Sequence, residues 1–215
     1  MRRGAAAIWD MDGVLVDSTE AHFEAWRRMA AARGETLTRE RFLPTFGMNN
    51  PDAIRVLFGA VPEADARAIA TDKEIEFRRL LRGRAAALPG ADALVRALRA
   101  AGHPLAIASS APRENIRAVL EELGLADAFG ATASGDDIRH GKPDPEIFLL
   151  AAERLGVPRR DCIVLEDADV GVLAAKRAGM RAFAITTTRP REGLAGADRI
   201  VDRLDELAVE DFLLD

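Results

Sequence analysis

Apolar positions along this chain recur in two rhythms. Near the start, Ala5-Ala6-Ala7-Ile8-Trp9 is a short unbroken apolar run that stops at Asp10-Met11-Asp12-Gly13. A run of that length, ended by acidic residues and glycine, predicts a buried strand passing into a loop. From Ser18 to about residue 85 the spacing is helical, with no strand signal. Phe23, Trp26 and Ala30 fall on one helical face, between a cap at Ser18 or Thr19 and a stop at Gly34. Thr38 predicts the start of a short helix. Asn50 as cap and Pro51 as first helical residue predict another, ending near Gly59. A long helix is expected from Pro62 to about Gly83, with Ile69, Phe77, Leu80 and Leu81 on its apolar side.

From Leu88-Pro89-Gly90 onward, short apolar strands alternate with amphipathic helices. Strands are expected at 104–108, 131–133, 162–165 and 182–185, with an edge strand at Ile200-Val201. Helices are expected around Leu94, Val95 and Leu98, after Pro112, after Pro145 and from about Val170. Such alternation implies a parallel sheet with helices on both faces. The predicted fold class is therefore α/β: a doubly wound parallel sheet (Rossmann-like core) with an inserted all-helical cap domain. The predicted boundaries are 1–17 and 88–215 for the catalytic core and 18–87 for the cap. A helical block inserted just after the first strand is expected to act as a lid over the carboxyl ends of the strands.

Composition narrows the classes. The chain has 215 residues and is 48% hydrophobic, enough for a proper core. A formal net charge of −5 argues against a general nucleic-acid binder. Among 30 basic residues only Lys73, Lys142 and Lys176 are lysine, which makes each conspicuous. Cys162 is the only cysteine, so an intramolecular disulfide and a thiolate metal cluster are excluded, and its place in an apolar run reads as packing. Arg2 and Arg3 precede an apolar stretch too short for a signal peptide, and no window approaches the roughly 18 apolar residues of a membrane span. A cytoplasmic monomer with no nucleic-acid or membrane partner is expected.

Candidate chemistry lies at the predicted strand ends. Asp10 and Asp12 are two apart, so on an extended chain both carboxylates point to one side. An acidic pair after a strand is by itself a common turn. Here, however, polar residues recur at four strand ends: Asp10 and Asp12, Ser109 and Ser110, Asp136 and Asp137, Glu166 and Asp167. Gly141-Lys142-Pro143 follows the third. In a parallel sheet these ends converge on one edge. Several carboxylates, hydroxyls and one lysine suit phosphoryl transfer. Asp10 and Asp167 are placed to hold Mg2+, and Asp10 to attack phosphorus and form an aspartyl-phosphate. Asp12 is placed to protonate the leaving oxygen and later take a proton from water. Ser109 would donate to a phosphoryl oxygen, and Lys142 would supply a positive charge. Ser110 serves as a phosphate ligand or as a helix cap before Pro112. Asp136 and Asp137 support the site or are simply solvated.

The motifs DMDGVLVDS, IASS, GKPDPEIF and VLEDADVGVLAAKRAGM, in this order, resemble the haloacid dehalogenase superfamily in its phosphatase and β-phosphoglucomutase-like branch. The segment DSTEAHFEAWRRMAAARG is similar to that branch's helical cap. The resemblance implies that Asp10 is the nucleophile and Asp12 the general acid/base. It implies Mg2+ held by Asp10, the main-chain carbonyl of Asp12 and Asp167, with Glu166 as a ligand or its support. It implies phosphate binding by Ser109 and Lys142; Gly13 and Ser110 are further candidates for that role. His22, Asn50 and Arg79 are the cap's candidates to meet substrate, although a lone histidine on a helix more often packs.

The resemblance also sorts the chemistries. Dehalogenase and phosphonate-cleaving members lack the second aspartate, so Asp12 argues against both. Resembling mutases carry an arginine in a cap loop for a distal phosphate. This chain has Gly47-Met48-Asn49-Asn50 there, and neutral Asn is a poor phosphate clamp. Ala168 stands where relatives commonly have serine. The expected activity is Mg2+-dependent hydrolysis of a small phosphomonoester, a phosphorylated metabolite such as a sugar phosphate. A β-phosphoglucomutase-type mutase is the alternative, followed by a non-catalytic phosphometabolite-binding module.

Overall fold

The computed structural model describes residues 4–214, so Arg2 and Arg3 lie outside the described residues. Strand β1 (Ala6–Trp9) opens the chain and is wholly buried. Helices α1 (Thr19–Ala32), α2 (Arg39–Phe42), α3 (Asn50–Phe58) and α4 (Glu63–Leu81) follow without an intervening strand. Strands and helices then alternate: α5 (Ala91–Ala100), β2 (Leu105–Ala108), α6 (Arg113–Glu122), β3 (Ala131–Ala133) and α7 (Glu146–Leu155). They continue with β4 (Cys162–Glu166), α8 (Asp169–Arg177), β5 (Arg181–Ile185) and β6 (Arg199–Val201). Among the described residues, no helix is long and apolar enough to cross a membrane.

The six strands form one parallel sheet in the order β3-β2-β1-β4-β5-β6. The sheet is doubly wound, as the alternating pattern predicts, with the inserted helical block after β1. The order in which strands are added runs outward from β1 through β2 to β3 and then returns to the other side of β1, so the switch point, where such sheets open a crevice, lies between β1 and β4. Side chains alternate between faces. Ile8, Ala106, Ala108, Val164, Ala182 and Ala184 pack on Ile147, Phe148 and Ala151 of α7 and Val172 and Ala175 of α8. Small alanines on the strands let the helices approach closely. Burial of Phe148 and Ile147 contributes roughly 2 kcal/mol each. On the other face, α5 lies against β2, and Phe212 near the C-terminus meets Phe183 at 5.5 Å between centroids.

The described chain divides into two units, Met1–Asp17 with Ala86–Asp215, and Ser18–Ala85. Ala86 and Ala87 go with the sheet because they pair with the departing chain: Val16 bridges Ala87 antiparallel, and the Asp17 amide donates to the Ala86 carbonyl (3.4 Å). The Leu88 amide donates to the Leu15 carbonyl (3.0 Å). Exit and return of the helical insertion are thus stitched side by side. The helical unit has its own core of Trp26, Ala30, Leu37, Phe42, Phe46, Ala53, Ile54 and Leu57.

Three local expectations are corrected. Asn49, not Asn50, caps α3, its side chain accepting from the Asp52 amide (2.9 Å), and Asn50 is the first helical residue. Ser110 does not cap α6; Asp136 does, accepting from the Arg113 amide (2.8 Å). Asp137 is not merely solvated, since its carboxylate takes Arg154 (2.9 Å), Arg113 and the Ser134 amide (2.9 Å). The Arg154 hydrogen bond, helped by those from Ser134, outweighs burial and holds the Asp137 carboxyl well below the usual range.

Candidate active site

Sheet register brings the acidic strand ends together. Trp9 pairs with Ile107 of β2 and Leu165 of β4, and the Asp10 amide still donates to the Leu165 carbonyl (3.0 Å). Asp10 therefore stands level with Glu166. Carboxylate oxygens of Asp10, Glu166 and Asp167 lie within 4.8 Å of one another, and all three residues are buried. Ser109 follows β2 and is 2% exposed. Its hydroxyl accepts from the Ala111 amide (3.2 Å), which leaves its own proton to donate.

Lys142 arrives from the loop before α7. That loop is shaped by its own side chains: Glu146 accepts from the Arg139 and His140 amides (3.0 and 2.9 Å), and Asp144 accepts from the Glu146 amide (3.0 Å). Lys142 Nζ passes 5.1 Å from the Phe148 ring centroid. It donates to Asp10 Oδ1 (2.8 Å) and to Glu166 Oε1. Glu166 Oε2 is taken by the amides of Asp167 (2.9 Å) and Ala168 (3.0 Å). Both Glu166 oxygens are therefore engaged, and no room remains beside them: a Cβ on Gly171 would sit 1.9 Å from Oε1.

The turn after β1 is knitted to itself. Gly13 has φ +82°, and its amide donates to the Val16 carbonyl (2.9 Å). Amides of Leu15 and Val16 both return to the Met11 carbonyl (2.9 and 3.1 Å). Asp12, 9% exposed, bridges Val16 inside this turn. A Cβ on Gly13 would lie 2.1 Å from Asp167 Oδ2, so only glycine permits both the turn and the approach of Asp167.

Charge is out of balance in this cluster. Three carboxylates face one ammonium. Burial pushes the Asp10 carboxyl up; Lys142 opposes the shift, Glu166 and Asp12 reinforce it, and it reaches about 7. Burial, then Glu166 and Asp10, push Asp167 well above the usual range. Burial alone would lower Lys142, but the charges of Asp10 and Glu166 and their hydrogen bonds outweigh it and raise it. A divalent cation would cancel the excess negative charge. The donors are all oxygen, which suits a hard ion such as Mg2+ rather than a soft one.

The three cap candidates belong to the helical unit. His22 stacks on Phe77 with centroids 4.0 Å apart, and its Nδ1 lies 2.9 Å from Lys73 Nζ. Lys73 donates to Glu74 Oε1 (2.8 Å), and so does Asn50 Nδ2 (2.8 Å). His22 and Asn50 thus meet at a buried Lys73–Glu74 pair. Arg79 is not part of this cluster; it is more than half exposed and pairs with Glu76 (2.7 Å). Sequence reasoning missed Lys73, Glu74, Gly171, Thr187 and Thr188. Only Lys73 carried a signal, as one of three lysines in an arginine-rich chain.

Residues 5–179 match the family model of the haloacid dehalogenase-like hydrolases. The chain belongs to that family. It is similar to the phosphorylated carbohydrates phosphatase of Thermotoga maritima, at 34% identity over 180 residues, 81% of this chain and 82% of that protein. It is also similar to the β-phosphoglucomutase of Bacillus subtilis, at 30% identity over 95% of this chain and 92% of that one. Among solved structures, the β-phosphoglucomutase of Clostridium difficile superposes with a TM-score of 0.88 at 27% identity, covering 97% of this chain and 95% of that chain. Haloacid dehalogenase-like hydrolases with phosphatase and mutase activities are thus both among its relatives.

Proposed function

We propose that this hydrolase is a Mg2+-dependent phosphatase that cleaves a small phosphomonoester, of the sugar-phosphate kind, through an aspartyl-phosphate on Asp10. The observation that carries the reading is the single buried cluster of Asp10, Lys142, Glu166 and Asp167 at the switch point, with Asp12 two residues beyond Asp10. Asp10, Asp167 and the Asp12 carbonyl would hold the ion, and Glu166, with both oxygens engaged, would support it by orienting Lys142 and the loop. When bound, Mg2+ supplies positive charge that offsets the negative charge of the phosphoryl group.

An Asp10 carboxylate oxygen attacks phosphorus, and the P–O bond to the leaving group breaks. Asp12 gives its proton to the departing oxygen. Asp12 then takes a proton from water, whose oxygen attacks the same phosphorus and frees Asp10 and inorganic phosphate. Lys142 has three N–H donors. Two hold Asp10 and Glu166, and the third serves a phosphoryl oxygen together with the Ser109 hydroxyl; the Gly13 amide, already given to the Val16 carbonyl, does not join them.

The test is phosphate release from an aryl phosphate, followed by a screen of metabolite phosphates with Mg2+. Release abolished by chelator and by Asp10→Asn is expected. No release with any divalent metal would overturn the reading. Similarity to two β-phosphoglucomutases keeps the mutase as the second reading. The absence of arginine in Gly47–Asn50 favours hydrolysis. Conversion of β-glucose 1-phosphate to glucose 6-phosphate, dependent on trace bisphosphate, would reverse that preference.

A further inference from the structure

We propose that Thr188 is a positioning residue that makes Asp167 a one-oxygen ligand and so favours Mg2+ over Ca2+ in the acidic cluster. The inference rests on Asp10 and Asp167 being the metal ligands of the proposed phosphatase. Two hydroxyls of the loop after β5 turn back toward this cluster. Thr188 Oγ1 donates to Asp167 Oδ2 and lies 3.2 Å from the Asp167 carbonyl oxygen. Thr187 Oγ1 donates to the Gly13 carbonyl. A Cβ on Gly13 would meet Asp167 Oδ2 at 2.1 Å and Thr188 Cγ2 at 3.0 Å. Asp167 Oδ2 is therefore boxed between the motif turn and Thr188. No described residue donates a hydrogen bond to Oδ1, which is the oxygen left for a cation.

Ca2+ takes six to eight oxygens and readily uses both oxygens of one carboxylate, whereas Mg2+ demands a near-ideal octahedron. A carboxylate with one oxygen already committed serves the second ion better than the first. Loss of a hydrogen-bond partner that orients a metal ligand typically costs about 10–100-fold in affinity. None of this was visible in the motifs, because Thr186-Thr187-Thr188 lies outside all of them.

The experiment is calorimetric titration of Mg2+ and of Ca2+ into the metal-free full chain, for the wild type, Thr188→Val and Thr188→Ser. Valine keeps the volume and removes the hydroxyl. It should weaken Mg2+ binding at least about tenfold and Ca2+ binding less, so that the selectivity ratio falls. Serine, which restores the hydroxyl, should keep the wild-type ratio. Thr188→Ala stands in for valine if valine prevents folding. Wild-type Mg2+ affinity in the hydroxyl-free variant, an unchanged ratio, or a serine variant as impaired as valine would overturn the proposal. A wild type that binds Mg2+ but cleaves no phosphate ester would overturn the proposed function and leave Thr188 in place. A wild type that binds no Mg2+ would overturn both.

Discussion

Asp10 is a costly residue to bury. In the metal-free protein its carboxyl is pushed up to about 7, against 3.8 for the free side chain, because burial, with Glu166 and Asp12 beside it, outweighs the Lys142 that it shares with Glu166. Between those two values the folded state holds a proton that the unfolded chain has released. The stability that this group contributes is therefore fully present below pH 3.8 and is lost as pH rises through 7, by up to about 1.4 kcal/mol per pH unit. Asp10→Asn removes this group and leaves Lys142 paired with Glu166 alone. The stability gained by Asp10→Asn in chelator should grow from pH 5 to pH 8, and shrink when Mg2+ is added. Thermal unfolding of both proteins across that range checks this, and a gain independent of pH would refute it. Gly171 shows the opposite kind of constraint. Its added Cβ would lie 1.9 Å from Glu166 Oε1, and Glu166 is pinned by Lys142 and two amides. Gly171→Ala should destabilise the fold by about 1–3 kcal/mol and cut turnover about tenfold or more. Denaturant titration and initial rates measure both; near-wild-type values would show that α8 yields easily.

Elements differ in how far their sequence announces them. β1 is an unbroken apolar run and β4 an apolar run closed by Glu166, both buried at every position, so their type was readable and their ends were readable to within a residue. β3 is a weaker signal because an edge strand is only partly buried. The acidic strand ends were readable because parallel topology brings them to one edge, and Asp10, Lys142, Glu166 and Asp167 are found together there. What stayed hidden are contacts between distant positions with no periodic trace. Asp136 caps α6 from 23 positions away, and Glu74 joins Asn50 across 24. The Lys73–Glu74 pair ties α4 to His22 of α1 and Asn50 of α3, with side chains 4% and 8% exposed. Burial alone would raise Glu74, but Lys73 and His22 outweigh it and hold its carboxyl below the usual range. Glu74→Gln leaves Lys73 as a buried uncompensated charge and should cost about 3–5 kcal/mol. Adding Lys73→Met should recover much of that loss. A double-mutant cycle by urea unfolding measures the coupling, and simple additivity of the single changes would refute it.

At the scale of the whole molecule, the chain is one sheet interrupted once. Exit and return run side by side through the Val16–Ala87 bridge and the Asp17–Ala86 hydrogen bond. Paired antiparallel segments can be closed by a loop of about two residues. Replacing residues 18–85 by such a loop should therefore leave a sheet unit that unfolds cooperatively and keeps strand and helix signals in circular dichroism. A non-cooperative, aggregating product would show that the sheet unit depends on the helices to fold.

The knitted turn between Met11 and Val16 has a mechanical consequence. Four residues separate Asp12 from Asp17, and all four of their amides are tied within the same turn. The turn is a short, hydrogen-bonded crank, with the Asp12 carboxylate on one arm and the outgoing chain on the other. Tension on the chain at Asp17 should therefore reach Asp12 through this turn, while Asp10 is tied to the sheet by its hydrogen bond to Leu165. The position of Asp12 and tension in the connector should then vary together.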